Sequence, residues 1–288
     1  MTHRRTPGIA GRTEYAPLMS RPSKAMSIGI LASTLIGAMA LVVALNESSS
    51  LDITQVKLPG AQIRGVRIAV ISDLHLSSLE PLHRTVQTEL AGLKPDFLVI
   101  AGDAIEDTRA LPALSLFLSR LPKLRTVATL GNWEHWGAVD LAALRATYER
   151  HGVELLVNRC IEFDAGGQPI AFLGLDDHTA GAPDLDRATR HCRHHLPTVI
   201  VQHSPEYFDQ APEKALPKVI VGLAGHTHGG QIKLFGQVLW TPSGSGRFVE
   251  GLYETRLGKL FVTRGVGTSR VPIRLGSRPE IGVVDFFY

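Results

Sequence analysis

Gly225-His226-Thr227-His228-Gly229-Gly230 places two imidazoles in a glycine-lined loop directly after the apolar run Val219 to Ala224. The same punctuation recurs upstream. Asp73-Leu74-His75 follows Val66 to Ile71, Gly102-Asp103 follows Phe97 to Ala101, and Gly131-Asn132 follows Val127 to Leu130. Gln202-His203 follows Thr198 to Val201. Each short β-branched or apolar run is broken at once by a Gly, Asp, Asn or His. In an α/β sheet the carboxyl ends of the strands converge on one rim, where ligand sites form. Asp73, His75, Asp103, Asn132, His203, His226 and His228 are therefore expected to meet there as metal donors.

The residue types fit that chemistry. Imidazole and carboxylate suit Mn, Fe and Zn, and no thiolate is in the set. Two divalent ions about 3.5–4 Å apart need a bridging anion, and a short Asp such as Asp103 can give one oxygen to each. Water on such a pair ionises near neutral pH and attacks an electrophile clamped between the ions, as phosphorus esters require. Taken singly, each motif has an ordinary structural reading. Asp103 would cap a helix, Asn132 would make a turn, and His203 would sit hydrogen-bonded in a core. The order of all five, each behind a strand, carries the metal reading.

The set Asp-x-His, Gly-Asp, Gly-Asn, His and Gly-His-x-His resembles the calcineurin-like metallophosphoesterase family. Ser72-Asp73-Leu74-His75-Leu76 and Gly225-His226-Thr227-His228-Gly229-Gly230-Gln231 resemble its bacterial branch of membrane-associated phosphodiesterases and lipid-precursor hydrolases. Arg264-Gly265-Val266-Gly267-Thr268 and Arg278-Pro279-Glu280-Ile281 are similar to that branch too. The resemblance covers residues 50–288 and implies an α/β fold, a four-layer α-β-β-α sandwich. It places Asp73, His75, Asp103 and His228 on a first metal, and Asp103, Asn132, His203 and His226 on a second. It implies a binuclear metal-dependent hydrolase that uses a metal-bridging hydroxide on a phosphodiester or phosphomonoester. A lipid-linked or nucleotide-sugar substrate is the expectation. A nuclease or cyclic-nucleotide phosphodiesterase is the alternative within enzymes, and a catalytically weak metal-binding scaffold is the alternative of another class.

One position departs from the family. Its third motif usually reads Gly-Asn-His-Glu or Gly-Asn-His-Asp, and that His contacts the phosphate or protonates the leaving group. Gly131-Asn132-Trp133-Glu134-His135-Trp136 puts Trp133 in its place. An indole donates only a neutral N–H and cannot act as a general acid. His135 is the candidate replacement, Glu106 the candidate acidic helper, and Trp133 a candidate substrate contact. General acid–base help is typically worth about 10²–10⁴-fold, so slow turnover on poor leaving groups is expected.

At 288 residues the chain has room for one sizeable α/β domain and an appendage. Ser27 to Leu45 is 19 residues without a charge. As a helix it would span about 28 Å, close to the thickness of a hydrocarbon core. Arg4, Arg5, Arg12, Arg21 and Lys24 precede it against a single Glu14, whereas Glu47 and Asp52 follow it. Positive charge favours the cytoplasmic side. The expectation is a basic, disordered cytoplasmic tail over 1–26, a single-pass transmembrane signal anchor over 27–45, and an extracytoplasmic metallophosphoesterase domain over 46–288. Cleavage after Ala38-Met39-Ala40 is the competing reading, but it would bisect the apolar run.

The net charge of +3 sits mostly in that tail, leaving 25 basic and 26 acidic residues after Leu45. No basic block remains to track a long nucleic acid. Arg264, Arg270, Arg274 and Arg278 form a local cluster suited to an anionic substrate. Cys160 and Cys192 lack CxxC spacing and read as two small buried side chains, with pairing open in an oxidising compartment. Asp176 and Asp177 read as strand-end caps, and His191, His194 and His195 as a solvated face. Leucine stripes from Leu82, Leu111 and Leu141 alternate with the strand runs, which predicts βαβ units and a largely parallel first sheet. Gly166-Gly167 marks a hairpin between later, closely spaced strands. The oligomeric state stays open.

Overall fold

A computed structural model describes residues 24–60, 63–190, 192–212 and 218–287, without the side chains of 24–30 and 32. Most of the basic tail, and His191, lie outside the described residues. The chain divides into two compact units, Met1–Leu41 and Val42–Tyr288. Helix α1 (Lys24–Ser49) runs for 26 residues. Its apolar side chains Leu35, Ile36, Met39 and Val42 are exposed, while Ala44 is buried. Among the described residues no helix is long and apolar enough to cross a membrane.

The first strands in chain order are β1 (Asp52–Pro59), β2 (Arg67–Ile71), β3 (Phe97–Ala101), β4 (Arg125–Thr129), β5 (Val153–Leu155), β6 (Arg159–Asp164) and β7 (Pro169–Gly174). The rest are β8 (Pro197–Val201), β9 (Lys218–Ala224), β10 (Lys233–Leu234), β11 (Gln237–Val238), β12 (Gly251–Thr255), β13 (Gly258–Val262) and β14 (Glu280–Phe287). One six-stranded sheet has the order β1-β14-β2-β3-β4-β5, the other β12-β13-β9-β8-β7-β6. In the first, only the β14–β2 pairing is antiparallel. Gly166 and Gly167 turn the antiparallel β6–β7 hairpin with φ of 67° and 84°, a region open to glycine.

Period-two alternation builds the layers. Ile68, Val70 and Val99 face Phe172, Val199, Val201 and Leu223 of the second sheet in a shared core. The intervening Ala69, Ile71, Leu98 and Ile100 face away, against helices α2 (Pro81–Leu93), α3 (Leu111–Ser119) and, past the short α4 (Asn132–Trp136), α5 (Leu141–Arg150). On the far side, Leu173 and Ile200 pack on α6 (Leu185–Thr189) and α7 (Tyr207–Gln210). Helices, sheet, sheet and helices make four layers. Strands buried on both faces read as continuous apolar runs, which is why the sequence shows them as blocks.

Cys160, in β6, and Cys192, beyond α6, are joined as a disulfide across 32 residues of sequence. The pairing that spacing alone left open follows from packing: β6 and α6 are packed together, and the Cα atoms lie 5.7 Å apart. Closing a loop of that length is worth about 3–4 kcal/mol by chain entropy. Cys160→Ser with Cys192→Ser should lower stability in urea by about that amount, while the oxidised wild type shows no free thiol. Equal unfolding midpoints with and without reductant would contradict this.

Candidate metal centre

All seven sequence-predicted donors gather at the rim where the two sheets' strands end. Asp73 and His75 follow β2, Asp103 follows β3, Asn132 opens α4, His203 follows β8, and His226 and His228 follow β9. Five of them reach the rim through left-handed backbone: Asp73 (φ 51°), His75 (45°), Asp103 (52°), His226 (72°) and His228 (50°). Such conformations cost of order 1–3 kcal/mol each and persist only where surrounding structure over-determines them. Here the loops are laced together. Asp73 N donates to Gly102 O at 3.0 Å, His75 N to Asp103 O at 3.1 Å and Gly225 N to His203 O at 3.1 Å.

Two donor groups form, Asp73–His75–His228 and Asp73–Asp103–His203, each with its ligand atoms within 4.8 Å of one another. In the first, His228 Nε2 lies 3.2 Å from His75 Nε2 and 3.3 Å from Asp73 Oδ1. In the second, His203 Nε2 is 3.2 Å from Asp103 Oδ2. That same Asp103 oxygen is 3.9 Å from His75 Nε2, so it stands between the groups. Asn132 Oδ1 is 3.2 Å from His203 Nε2 and 2.7 Å from His226 Nδ1.

Tautomers test whether a cation fits. His203 Nδ1 is 2.7 Å from the Ala101 carbonyl, to which it can only donate, so the neutral ring turns the Nε2 lone pair inward. His226 Nε2 likewise faces the Ser243 carbonyl at 2.7 Å, which turns the Nδ1 lone pair inward. The lone pairs of His203 and His226 then face the Asn132 amide oxygen, and that of His203 also faces an Asp103 carboxylate oxygen. They are almost fully buried, between 0% and 5% exposed for Asp73, Asp103, Asn132, His203, His226 and His228. Acceptors do not converge in a dry cavity unless a cation or proton sits among them.

The titration shifts reflect the same crowding. Burial lowers the His203 pKa, but Asp103 and Asp73 outweigh it and hold the imidazolium well above the usual range. Burial, then the neighbouring His75 and Arg274, push His228 well below it. His75 Nδ1 lies 2.8 Å from Glu106 Oε1, an ion-pair distance without hydrogen-bond alignment. Glu106 thus stands against the His75 imidazole.

Residues that the sequence reading passed over hold the site together. Glu134 is 1% exposed, and its carboxylate accepts from Asp103 N (3.1 Å), Ala104 N (2.7 Å), Ile105 N (3.2 Å) and Gly131 N (2.8 Å). Burial, then Asp103, raise its pKa to about 7. Gly131 is forced by this closeness, since a Cβ there would meet Asp103 Oδ1 at 2.2 Å. Arg274, expected in an anion-binding cluster, is wholly buried instead. Its guanidinium donates to the carbonyls of Gly267 (2.9 Å), Ser277 (3.1 Å) and His228 (3.2 Å) and so braces the His228 loop. Arg264 pairs with Glu280 at 2.9 Å and Asp52 at 3.0 Å, and Arg278 approaches Asp52 at 3.8 Å. Only Arg270 of the four borders the cavity.

That cavity, about 470 Å³, opens beside the donors and is walled by Trp133, Trp136, Ile232, Leu239, Trp240 and Val271, with Arg270 at its edge. His135 is not in its wall. Its Nε2 bonds Asp176 Oδ1 at 2.7 Å, and that bond, ahead of burial, raises the imidazole pKa. Asp176 also accepts from Ala182 N at 3.0 Å, and Asp177 accepts from Thr179 N and Ala180 N, the capping role read for both.

Residues 66–230 match the family described as calcineurin-like phosphoesterase. The chain belongs to that family. It is 32% identical over 234 residues to the metallophosphoesterase YkuE of Bacillus subtilis, covering 76% of this chain and 78% of that protein. It is 28% identical over 230 residues to the phosphodiesterase YaeI of Escherichia coli, covering 76% and 81%. A Bos taurus transmembrane protein with metallophosphoesterase domain shares 26% over 283 residues, covering 88% of this chain and 61% of that protein. This phosphoesterase is therefore a hydrolase of phosphoester bonds.

Two outcomes follow for the phosphoesterase. Removing Glu134 strands four buried N–H groups. Glu134→Ala should therefore cost about 3 kcal/mol or more in urea unfolding and lower metal content together. His203 carries the second. With its folded pKa above the unfolded value, its proton stabilises the metal-free protein below about pH 6.5, and that contribution is lost as pH rises through the folded pKa. Metal competes for the same lone pair, so loading should release protons and weaken on acidification. Manganese titration in weak buffer reads the release; pH-independent affinity would contradict it.

Proposed function

We propose a binuclear phosphodiesterase in which Asp73, His75, Asp103 and His228 hold one divalent ion, and Asp103, Asn132, His203 and His226 the other. The observation that carries this is the buried convergence of acceptors around two points, with Asp103 Oδ2 between them. Mn, Fe, Zn or a mixture suits such donors. Bound there, the pair supplies charge neutralisation at phosphorus and a water acidic enough to react near neutral pH. The chain's residues do the rest. Ala101 and Ser243 carbonyls fix two imidazole tautomers, Glu134 fixes the Asp103 loop, and the tryptophan-lined cavity offers apolar surface beside the phosphate.

A diester with an apolar arm, such as a lipid-linked phosphoester, matches a cavity with three tryptophans and a single cationic side chain. An anchored, extracytoplasmic enzyme is the location we infer. Its support is the uncharged run Ser27 to Leu45 with five basic residues before it, together with the Cys160–Cys192 disulfide, a feature of oxidising compartments. The bovine relative's name places a transmembrane protein beside this domain.

A second reading, a catalytically weak scaffold, is favoured by one observation: Trp133 lies in the cavity wall where the family has His, and His135 is tied to Asp176. Both are tested together. Purified protein should contain two metals per chain and hydrolyse bis-p-nitrophenyl phosphate with manganese; Asp103→Asn should lose both properties. Metal without hydrolysis would favour the scaffold, and one metal would end the binuclear reading. Lacking a positioned acid, the enzyme should depend steeply on leaving-group pKa. Trp133→His should speed alkyl esters selectively, by up to about 10²-fold, and His135→Ala should change little.

A further inference from the structure

The mouth of the cavity carries an apolar rim that the hydrolytic chemistry does not use. Phe235 is 94% exposed, Leu239 62%, Trp240 61%, Leu234 50%, Trp136 50% and Val271 46%. Leu234 and Phe235 sit at the turn of the β10–β11 hairpin, and Leu239 and Trp240 follow it into the cavity wall. A patch of this kind on a soluble surface marks an interaction site.

We propose that this rim docks into a lipid bilayer, with the β10–β11 hairpin entering the headgroup region and the cavity opening toward the leaflet. The inference rests on the anchored, lipid-linked reading above and extends it to the orientation of the site. Three observations carry it.

The first is composition. Tryptophan and phenylalanine beside aliphatic side chains at a hairpin tip are what interfacial anchors present to a membrane. The second is charge. Arg270 is exposed at the same mouth, and among the described residues no Asp or Glu lines the cavity, which complements anionic headgroups and the phosphate of a membrane-borne substrate. The third is a tether. Ser48 Oγ accepts from Arg274 N at 2.7 Å, and Glu47 accepts from Gly276 N. Between those two, Leu275 bonds the base of the hairpin, with Lys233 N donating to Leu275 O at 2.7 Å and Leu275 N to Gln231 O at 2.9 Å. The same loop contributes Ser269, Arg270 and Val271 to the cavity wall. Leu45 ends the uncharged run three residues before Ser48, about 5 Å along a helix. The residues that directly follow the run are thus bonded to the loop that carries the base of the hairpin.

The three tryptophans of the chain all line this cavity, so intrinsic fluorescence reads the mouth alone. The full chain is reconstituted in phosphatidylcholine–phosphatidylglycerol vesicles, with acyl chains either plain or brominated near the headgroup. Tryptophan emission should fall about twofold in the brominated vesicles, as for rings at the interface. Phe235→Asp, at a side chain outside the cavity wall, should remove most of that quenching and leave manganese-dependent hydrolysis of soluble bis-p-nitrophenyl phosphate unchanged. Protein that floats with the vesicles but shows equal emission in both lipids would overturn the docking surface alone, and so would a dimer that shields the tryptophans. Protein that fails to float would overturn the anchor and this proposal with it. Loss of soluble-diester hydrolysis in the wild type would instead strike the catalytic reading, since the quenching needs no turnover.

Discussion

Lone pairs that face one another in a dry space are the constraint on which this structure turns. His203 and His226 each donate their one neutral N–H outward, to the carbonyls of Ala101 and Ser243, and so present bare nitrogens to Asn132 Oδ1. Asp73 and Asp103 add carboxylate oxygens to the same volume. Water is the partner such groups would otherwise keep, and burial denies it to them. A proton relieves only one pair: against burial, Asp103 and Asp73 draw His203 toward its charged form, while burial and then His75 drive His228 from it. Divalent cations relieve the whole set at once, under the proposed assignment.

Holding those groups in place takes a scaffold stiff enough to keep five non-glycine residues at positive φ. The two sheets supply it, since β2, β3 and β8 are buried on both faces and cannot shift register without moving two cores. Local bracing finishes the work. Glu134 gathers four amides from two separate loops, and Arg274 gathers three carbonyls from two. One buried anion serves the N–H groups and one buried cation serves the C=O groups, each satisfied by several hydrogen bonds. That satisfaction makes their burial tolerable.

The strand-end donors were legible because each stands at a break in an apolar run, and such a break encodes both the strand's end and the side chain presented there. Glu134 and Arg274 were not, because their value lies in backbone groups that converge only in three dimensions. Sequence shows an acidic residue beside Asn132 and an arginine among arginines, and nothing in either spells burial. The Cys160–Cys192 pair was hidden for a similar reason: a gap of 32 residues says nothing of two chain ends brought within 5.7 Å. β1 also escaped notice. Its burial alternates along the strand, and its partner is β14, more than two hundred residues away. The short β10–β11 hairpin left no periodic trace at all.

Trp133 joins the two halves of the functional argument. Its backbone N–H donates to Asp103 Oδ1 at 2.8 Å, so the position still serves the donor cluster through the main chain, whatever side chain it bears. The side chain is then free to change role. An imidazole there would reach the phosphate, whereas an indole stacks edge-on to Trp136 at 5.7 Å and extends the apolar wall toward Trp240. The exchange removes a proton donor from the reacting centre and adds apolar surface beside it. A substrate whose leaving oxygen needs little help, and whose other arm is apolar, loses little from the first change and gains contact from the second. Under the proposed function, slow cleavage of simple alkyl esters and preference for an apolar arm are then two expectations from one side chain.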